Sequence, residues 1–265
     1  KFRKSLCRVH MRASHQSPAA PTMAGVLLLG HRGQNCSAEP ENTVEAVRAA
    51  LDGGADGVEV DVRLTADGVP VCVHDPDLRR IAWSGRQVAA STYAELQAIR
   101  LPGGHRVPTL TEVAAAVAGR GLLVVDLKEQ RNAPALATAV VEVLDDLRDE
   151  VVVSSFATEV LDAVHRRRPA LPRALITDAD VPAVVALARA KVTSCAGLHP
   201  HVTTVLADHG IAERAEAQQV TLRCWTVNRS VDARLLDIAG ATAVISDDPR
   251  GLRRALAAPS RNRVS

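Results

Sequence analysis

From Gly25 onward, short runs of Val, Leu and Ile alternate with longer stretches in which apolar residues recur every three or four positions. The first pattern reads as buried strand and the second as amphipathic helix. Strand candidates are VLLLG from Val26, GVEVDV from Gly57, LLVVDLK from Leu122, VVVSS from Val151, RALIT from Arg173, SCAGL from Ser194, VTLRCWTV from Val220 and TAVIS from Thr242. Between them, Val44, Val47, Ala50 and Leu51 share one helical face that Gly53 and Gly54 terminate. From Asn132 to Leu147 a plausible cap, a first-turn Pro134 and a stripe of Leu136, Val140, Val143, Leu144 and Leu147 repeat the logic. Eight strand-helix units predict a single (β/α)8 barrel of the TIM type, with an open doubly wound sheet as the alternative. After the second strand, Asp67-Gly68 signals a hairpin, and the longest connection, 75–108, follows it as a small extension. The expected layout is a basic arm at 1–24, one domain at 25–258 and a tail at 259–265.

A chain of 265 residues fits such a barrel as one domain, and 47% hydrophobic with 23% charged residues is a globular composition. No apolar run approaches the roughly 20 residues that cross a bilayer, so no transmembrane segment is expected. Lys1, Arg3, Lys4, Arg8 and Arg12 lie in the first 24 residues without an acid, and setting them aside turns the net charge from +2 to −3. That arm reads as a solvated terminus without the apolar stretch of a secretory leader, with Met11 or Met23 as the expected natural start. With the basic residues concentrated there and only two Phe, two Trp and one Tyr in the chain, nucleic acid is not an expected partner. Cys7, Cys36, Cys72, Cys195 and Cys224 are odd in number and form no Cys-x-x-Cys pair, which points to a reducing, cytoplasmic setting rather than disulfides or zinc. The sequence specifies no oligomeric state.

In a barrel the reactive groups stand at the carboxyl ends of the strands. The first strand ends in Gly30, His31, Arg32 and Gly33, and the second carries Glu59 and Asp61 two residues apart, hence on one side, with Val58, Val60 and Val62 on the other. Two adjacent inward carboxylates repel and lose hydration, and a divalent cation relieves both costs. Oxygen ligands suit Mg²⁺ or Ca²⁺, with Mn²⁺ as a third choice, although VEVDVRL taken alone reads more readily as a strand with one wet face. The returning arm of the hairpin would bring His74 beside the end of the second strand, and the third strand offers Asp126 as a further ligand and Lys128 as a cation for an anionic substrate.

These residues lie in GHRG, PENT, GADGVEVDVRLTADGVPVCVHD, VVDLK, SSF, RCWTVN and ISDDP. In order and spacing the sequence resembles the glycerophosphodiester phosphodiesterase family over nearly all of 25–258. The resemblance implies a metal-assisted barrel phosphodiesterase that hydrolyses small glycerophosphodiesters to glycerol-3-phosphate and an alcohol. It implies that His31 and His74 are the acid/base pair, that Glu59 and Asp61 hold the metal with Asp126, and that Arg32 and Lys128 hold phosphate. Glu41 corresponds to a further acidic residue near the metal or the glycerol, and Trp225 to an aromatic wall. Two features depart from the family pattern: Asp126 stands where glutamate is common, as in the related sphingomyelinase D group of spider venoms, and the connection 75–108 is short. A lysophospholipase D or sphingomyelinase D activity on larger lipids, and a phosphate-binding barrel without catalysis, are the alternatives. Ser155, Phe156, His199, His201, Asn228 and Asp247 are secondary candidates around the same mouth.

Overall fold

The computed structural model describes residues 25–35, 38–128, 132–145, 151–208 and 210–257. The expected arm and tail, Cys7, Cys36 and Leu147 lie outside them. In chain order the elements begin with β1 (Leu27–His31), α1 (Val44–Asp52) and β2 (Gly57–Leu64). An extension follows, made of β3 (Pro70–Cys72), β4 (Asp77–Leu78), α2 (Arg79–Ala82), β5 (Ser84–Gln87) and α3 (Tyr93–Gln97). Then come α4 (Leu110–Val117), β6 (Leu122–Leu127), α5 (Ala133–Leu144), β7 (Val151–Ser155), α6 (Thr158–Arg167), β8 (Arg173–Thr177) and α7 (Ala183–Val192). The chain continues through β9 (Gly197–Pro200), α8 (Val202–Ala207), α9 (Ile211–Ala217), β10 (Thr221–Cys224), α10 (Ser230–Ile238), β11 (Ala243–Ser246) and α11 (Pro249–Ala257).

Eight of these strands pair in parallel in the order β1-β2-β6-β7-β8-β9-β10-β11, and β11 returns to β1. The sheet is therefore a closed barrel, as the alternation predicts. Closure buries both faces of most of the strands, which is why their sequences are nearly continuous apolar runs. Val58, Val60 and Val62 face outward into a large core shared with the helices, together with Val47, Leu123, Leu136 and Leu161. A smaller cluster of Leu29, Val124, Ala243 and Ile245 fills the interior.

Local chemistry sets the element ends. Thr43 caps α1 by accepting from the Ala46 amide, and Asn132 caps α5 by accepting from that of Ala135. The sixth barrel strand begins at Gly197 rather than at Ser194. Ser194 takes a left-handed conformation (φ 52°) and its amide donates to Lys191, so the residues SCA turn the chain from α7 into the strand.

β3 runs antiparallel to β2 through the predicted hairpin. The rest of the extension is an ordered unit with its own core of Val71, Val73, Leu78, Val88, Leu96, Leu101 and Val107. A reciprocal cap between Thr92 and Glu95 starts α3. Among the described residues no helix is long and apolar enough to cross a membrane.

Candidate active site

At the carboxyl ends of the barrel strands lies a cavity of about 260 Å³. His31 and Arg32 reach it from the end of β1, Glu59 and Asp61 from β2, His74 from the end of the hairpin, Asp126 and Lys128 from β6, and Trp225 from beyond β10. Eight of the nine residues singled out in the sequence thus line one cavity. The ninth, Glu41, stands behind it: one carboxylate oxygen accepts from Arg32 at 2.9 Å, and both accept from Arg80 at 2.6 and 2.7 Å.

The turn after β1 depends on two glycines. A β-carbon on Gly30 would lie 2.5 Å from the Gly33 carbonyl oxygen, and one on Gly33 2.5 Å from the Ala46 carbonyl carbon. Gly33 also has φ +84°. This tight return lets the Arg32 amide donate to Glu59 at 3.2 Å while the Arg32 Nε lies 3.1 Å from Asp61.

The carboxylates form the floor. Glu59, Asp61 and Asp126 are all buried, and each offers one oxygen within 4.8 Å of the others. Asp61 accepts from Asn42 at 2.8 Å and pairs with Lys128 at 2.7 Å, while Asp126 accepts from Lys128 at 2.6 Å. Burial pushes Glu59 up to about 8, reinforced by the negative charge of Asp61. Burial, partly offset by Lys128, raises Asp126 to about 6. Burial also acts against the Asp61 carboxylate, but Lys128 and Arg32 outweigh it and hold Asp61 down at about 2. The fixed cations therefore do not neutralise all three acids, and the buried Asp126 Oδ1 has no hydrogen-bond partner. A divalent cation with oxygen ligands fits this donor set on both counts.

Each histidine is anchored through Nδ1: His31 to Asp247 at 2.6 Å and His74 to Asp75 at 2.7 Å. Each Nε2 is thereby left for chemistry in the cavity, and that of His31 lies 4.0 Å from Glu59. Burial lowers the basicity of His31, yet the bond to Asp247 and the charge of Glu59 raise it above the ordinary value. Burial prevails at His74, which titrates lower than usual. Asp247 is itself held at about 2, first by the His31 hydrogen bond, and it also accepts from Asn228 at 2.6 Å and Asn35 at 3.2 Å. Asp247→Asn is expected to lower kcat roughly tenfold or more, a part of the 10²–10⁴ that an acid/base group supplies. Steady-state kinetics with an unchanged melting temperature would check it.

The opposite wall is mixed. Trp225 donates from Nε1 to the His199 carbonyl at 3.0 Å and meets Phe156 and His201 edge-on, at centroid distances of 5.6 and 5.4 Å. His199 belongs to β9 rather than to an exposed loop. It lines the cavity at 1% exposure, and burial, aided by Arg223, drives its pKa well down. Ser155 instead donates to the Leu127 carbonyl, and Ser154, Ile176, Asp178 and Ile245 complete the lining. Asn42 lies within PENT and Asp75 ends VCVHD, yet neither motif tells what its residue pairs with, and Arg80 carries no distinguishing signal in the sequence.

The chain is similar to known proteins over nearly all of the barrel. Residues 31–250 match the model of the glycerophosphoryl diester phosphodiesterase family. A glycerophosphodiester phosphodiesterase of Caldanaerobacter subterraneus is 29% identical over 237 residues, 85% of this chain and 96% of that protein. A phosphodiesterase of Oleispira antarctica, solved in complex with the product sn-glycerol-3-phosphate, superposes with a TM-score of 0.80 at 27% identity, covering 88% of this chain and 97% of that one. The glycerophosphodiester phosphodiesterase of Thermotoga maritima gives a TM-score of 0.74 at 26% identity over 88% and 100% of the two chains. With the matched residues running from His31 through the carboxylate floor and the last strand into α11, the chain belongs to the glycerophosphoryl diester phosphodiesterase family and is an enzyme of that family.

Proposed function

We propose that the chain hydrolyses small glycerophosphodiesters to glycerol-3-phosphate and an alcohol, with His31 and His74 as acid and base and one divalent cation as cofactor. The observation that carries this reading is the meeting of two anchored imidazoles, two fixed cations and a buried carboxylate triad in one cavity of about 260 Å³. That volume suits a small polar diester, the substrate class suggested by the relatives' activity and by the product bound to the Oleispira enzyme.

Glu59, Asp61 and Asp126 would hold the cation, which when bound supplies Lewis-acid charge at the phosphoryl oxygens. Mg²⁺ or Ca²⁺ is favoured because every donor is an oxygen. Arg32 and Lys128 add positive charge on the same side of the cavity, where exclusion of water makes each worth more than in solution. One imidazole takes the proton of the attacking hydroxyl and the other delivers a proton to the leaving alkoxide. Asp247 and Asp75 keep the tautomers fixed through Nδ1, so both transfers pass through Nε2. Trp225 and Phe156 present an apolar wall to the carbon skeleton. The buried free thiols Cys72, Cys195 and Cys224 support a reducing, cytoplasmic setting.

The test is product release from glycerophosphocholine and glycerophosphoethanolamine, with a lysophospholipid in parallel. Glycerol-3-phosphate from the first two and little choline from the third is the expected result. Preference for the lysophospholipid would transfer the reading to a lysophospholipase D. Saturable binding with no product would reduce the barrel to a phosphate-binding protein. Phosphorus NMR during turnover separates attack by water from attack by the glycerol hydroxyl, which passes through a cyclic phosphate.

A further inference from the structure

We infer that Arg80, which lies on the extension and outside the cavity, is a positioning residue that holds His74 and Arg32 in register with each other. The inference rests on the roles just proposed for those two residues. The Arg80 Nε donates to Asp75 Oδ2 at 2.6 Å, and the other oxygen of Asp75 takes the His74 Nδ1 at 2.7 Å. The two terminal nitrogens of Arg80 grip both oxygens of Glu41 at 2.7 and 2.6 Å, and Glu41 Oε1 accepts from Arg32 at 2.9 Å. A continuous chain, His74-Asp75-Arg80-Glu41-Arg32, therefore runs around the outside of the site and joins a proton-transfer group to a phosphate-binding group.

The guanidinium suits this task for a geometric reason. Its donors lie in one plane in fixed directions, so a fork that engages Glu41 bidentately also fixes where Nε points, and hence the plane of the Asp75 carboxylate. A lysine ammonium could reach one carboxylate but would impose no angle between the two. Arg80 is in turn carried by a fixed support, because α2 connects the paired strands β4 and β5, and Leu78 of β4 and Val88, next after β5, are sunk in the core of the extension. Besides His74 itself, the extension thus reaches the site through Arg80, which ties Asp75 to Glu41.

The competing account is a half-exposed ion pair that only staples the extension down, and such pairs contribute little to stability. The two accounts differ in what substitution does. If Arg80 positions the site, Arg80→Ala lowers kcat about tenfold to a hundredfold, the scale of a small misplacement of reacting groups. Arg80→Lys then fails to restore it, and KM rises as Arg32 loosens. In a background already carrying Asp75→Asn and Glu41→Gln, Arg80→Ala costs less than about twofold, because the groups through which it acts have gone. An equal cost in both backgrounds, or kcat within about twofold of wild type for Arg80→Ala alone, would overturn the inference. A readout independent of turnover separates this failure from failure of the proposed function. The low-field Nδ1 proton resonance of His74 should be present in the wild-type protein and lost or broadened in Arg80→Ala, whether or not glycerol-3-phosphate is the product. Its persistence would refute positioning even in an enzyme that proved fully active.

Discussion

Alanine at His31 or at His74 is expected to lower kcat by about a hundredfold or more, the usual scale for removing an acid/base group, with a much smaller change in KM. The phosphate contacts proposed for Arg32 and Lys128 do not pass through either ring, so binding should outlast turnover. Both variants should fold, since neither imidazole is a packing element of the apolar clusters. A diester with an activated leaving group, such as a p-nitrophenyl ester, sharpens the result. A good leaving group needs no proton, so it should restore activity to the variant lacking the acid and leave the variant lacking the base impaired. Near-normal turnover of glycerophosphocholine by either purified variant would contradict the assignment.

Removal of divalent cations by a chelator should have an effect at least as large, about a thousandfold, because several kcal/mol of charge stabilisation at phosphorus would vanish together. Binding can be read without turnover. Titrating Mg²⁺ or Ca²⁺ into stripped protein should raise the melting temperature, by about 2.7 kcal/mol of added stability at a hundred times Kd. Glu59→Gln should weaken that response while preserving the shape of the buried floor. Full activity after exhaustive chelation, or a melting temperature indifferent to both ions, would leave the triad as three buried acids managed by Lys128 and Arg32 alone.

What the sequence made legible is what local periodicity encodes. The alternation of apolar runs and helical stripes carries the eight-stranded closure, because each unit must bury one face against its neighbours. Spacing of two along β2 and β6 places Glu59, Asp61, Asp126 and Lys128 on the interior, and a two-residue turn signal brings His74 back to them. The partners of these groups are another matter. Asp247 meets His31 across 216 residues of chain, and Arg80 meets Glu41 across 39, through loops whose paths no periodicity describes. The run SCAGL stops short of His199, whereas the left-handed turn at Ser194 delays the sixth strand to Gly197–Pro200 and so includes it. Glu41 shows the same limit: PENT marks its presence, but only the folded chain turns it toward two arginines and away from the cavity.

Because β1 is stapled on one side by β2 and on the other by β11, the earliest strand described and the latest are neighbours. During synthesis, His31, the triad and Lys128 would all leave the ribosome well before Asp247 exists to orient the first imidazole. A nascent chain would thus work well below its full rate until its final strand slots home, and a protease that clipped that strand would open the barrel and impair a molecule whose other reactive groups were untouched.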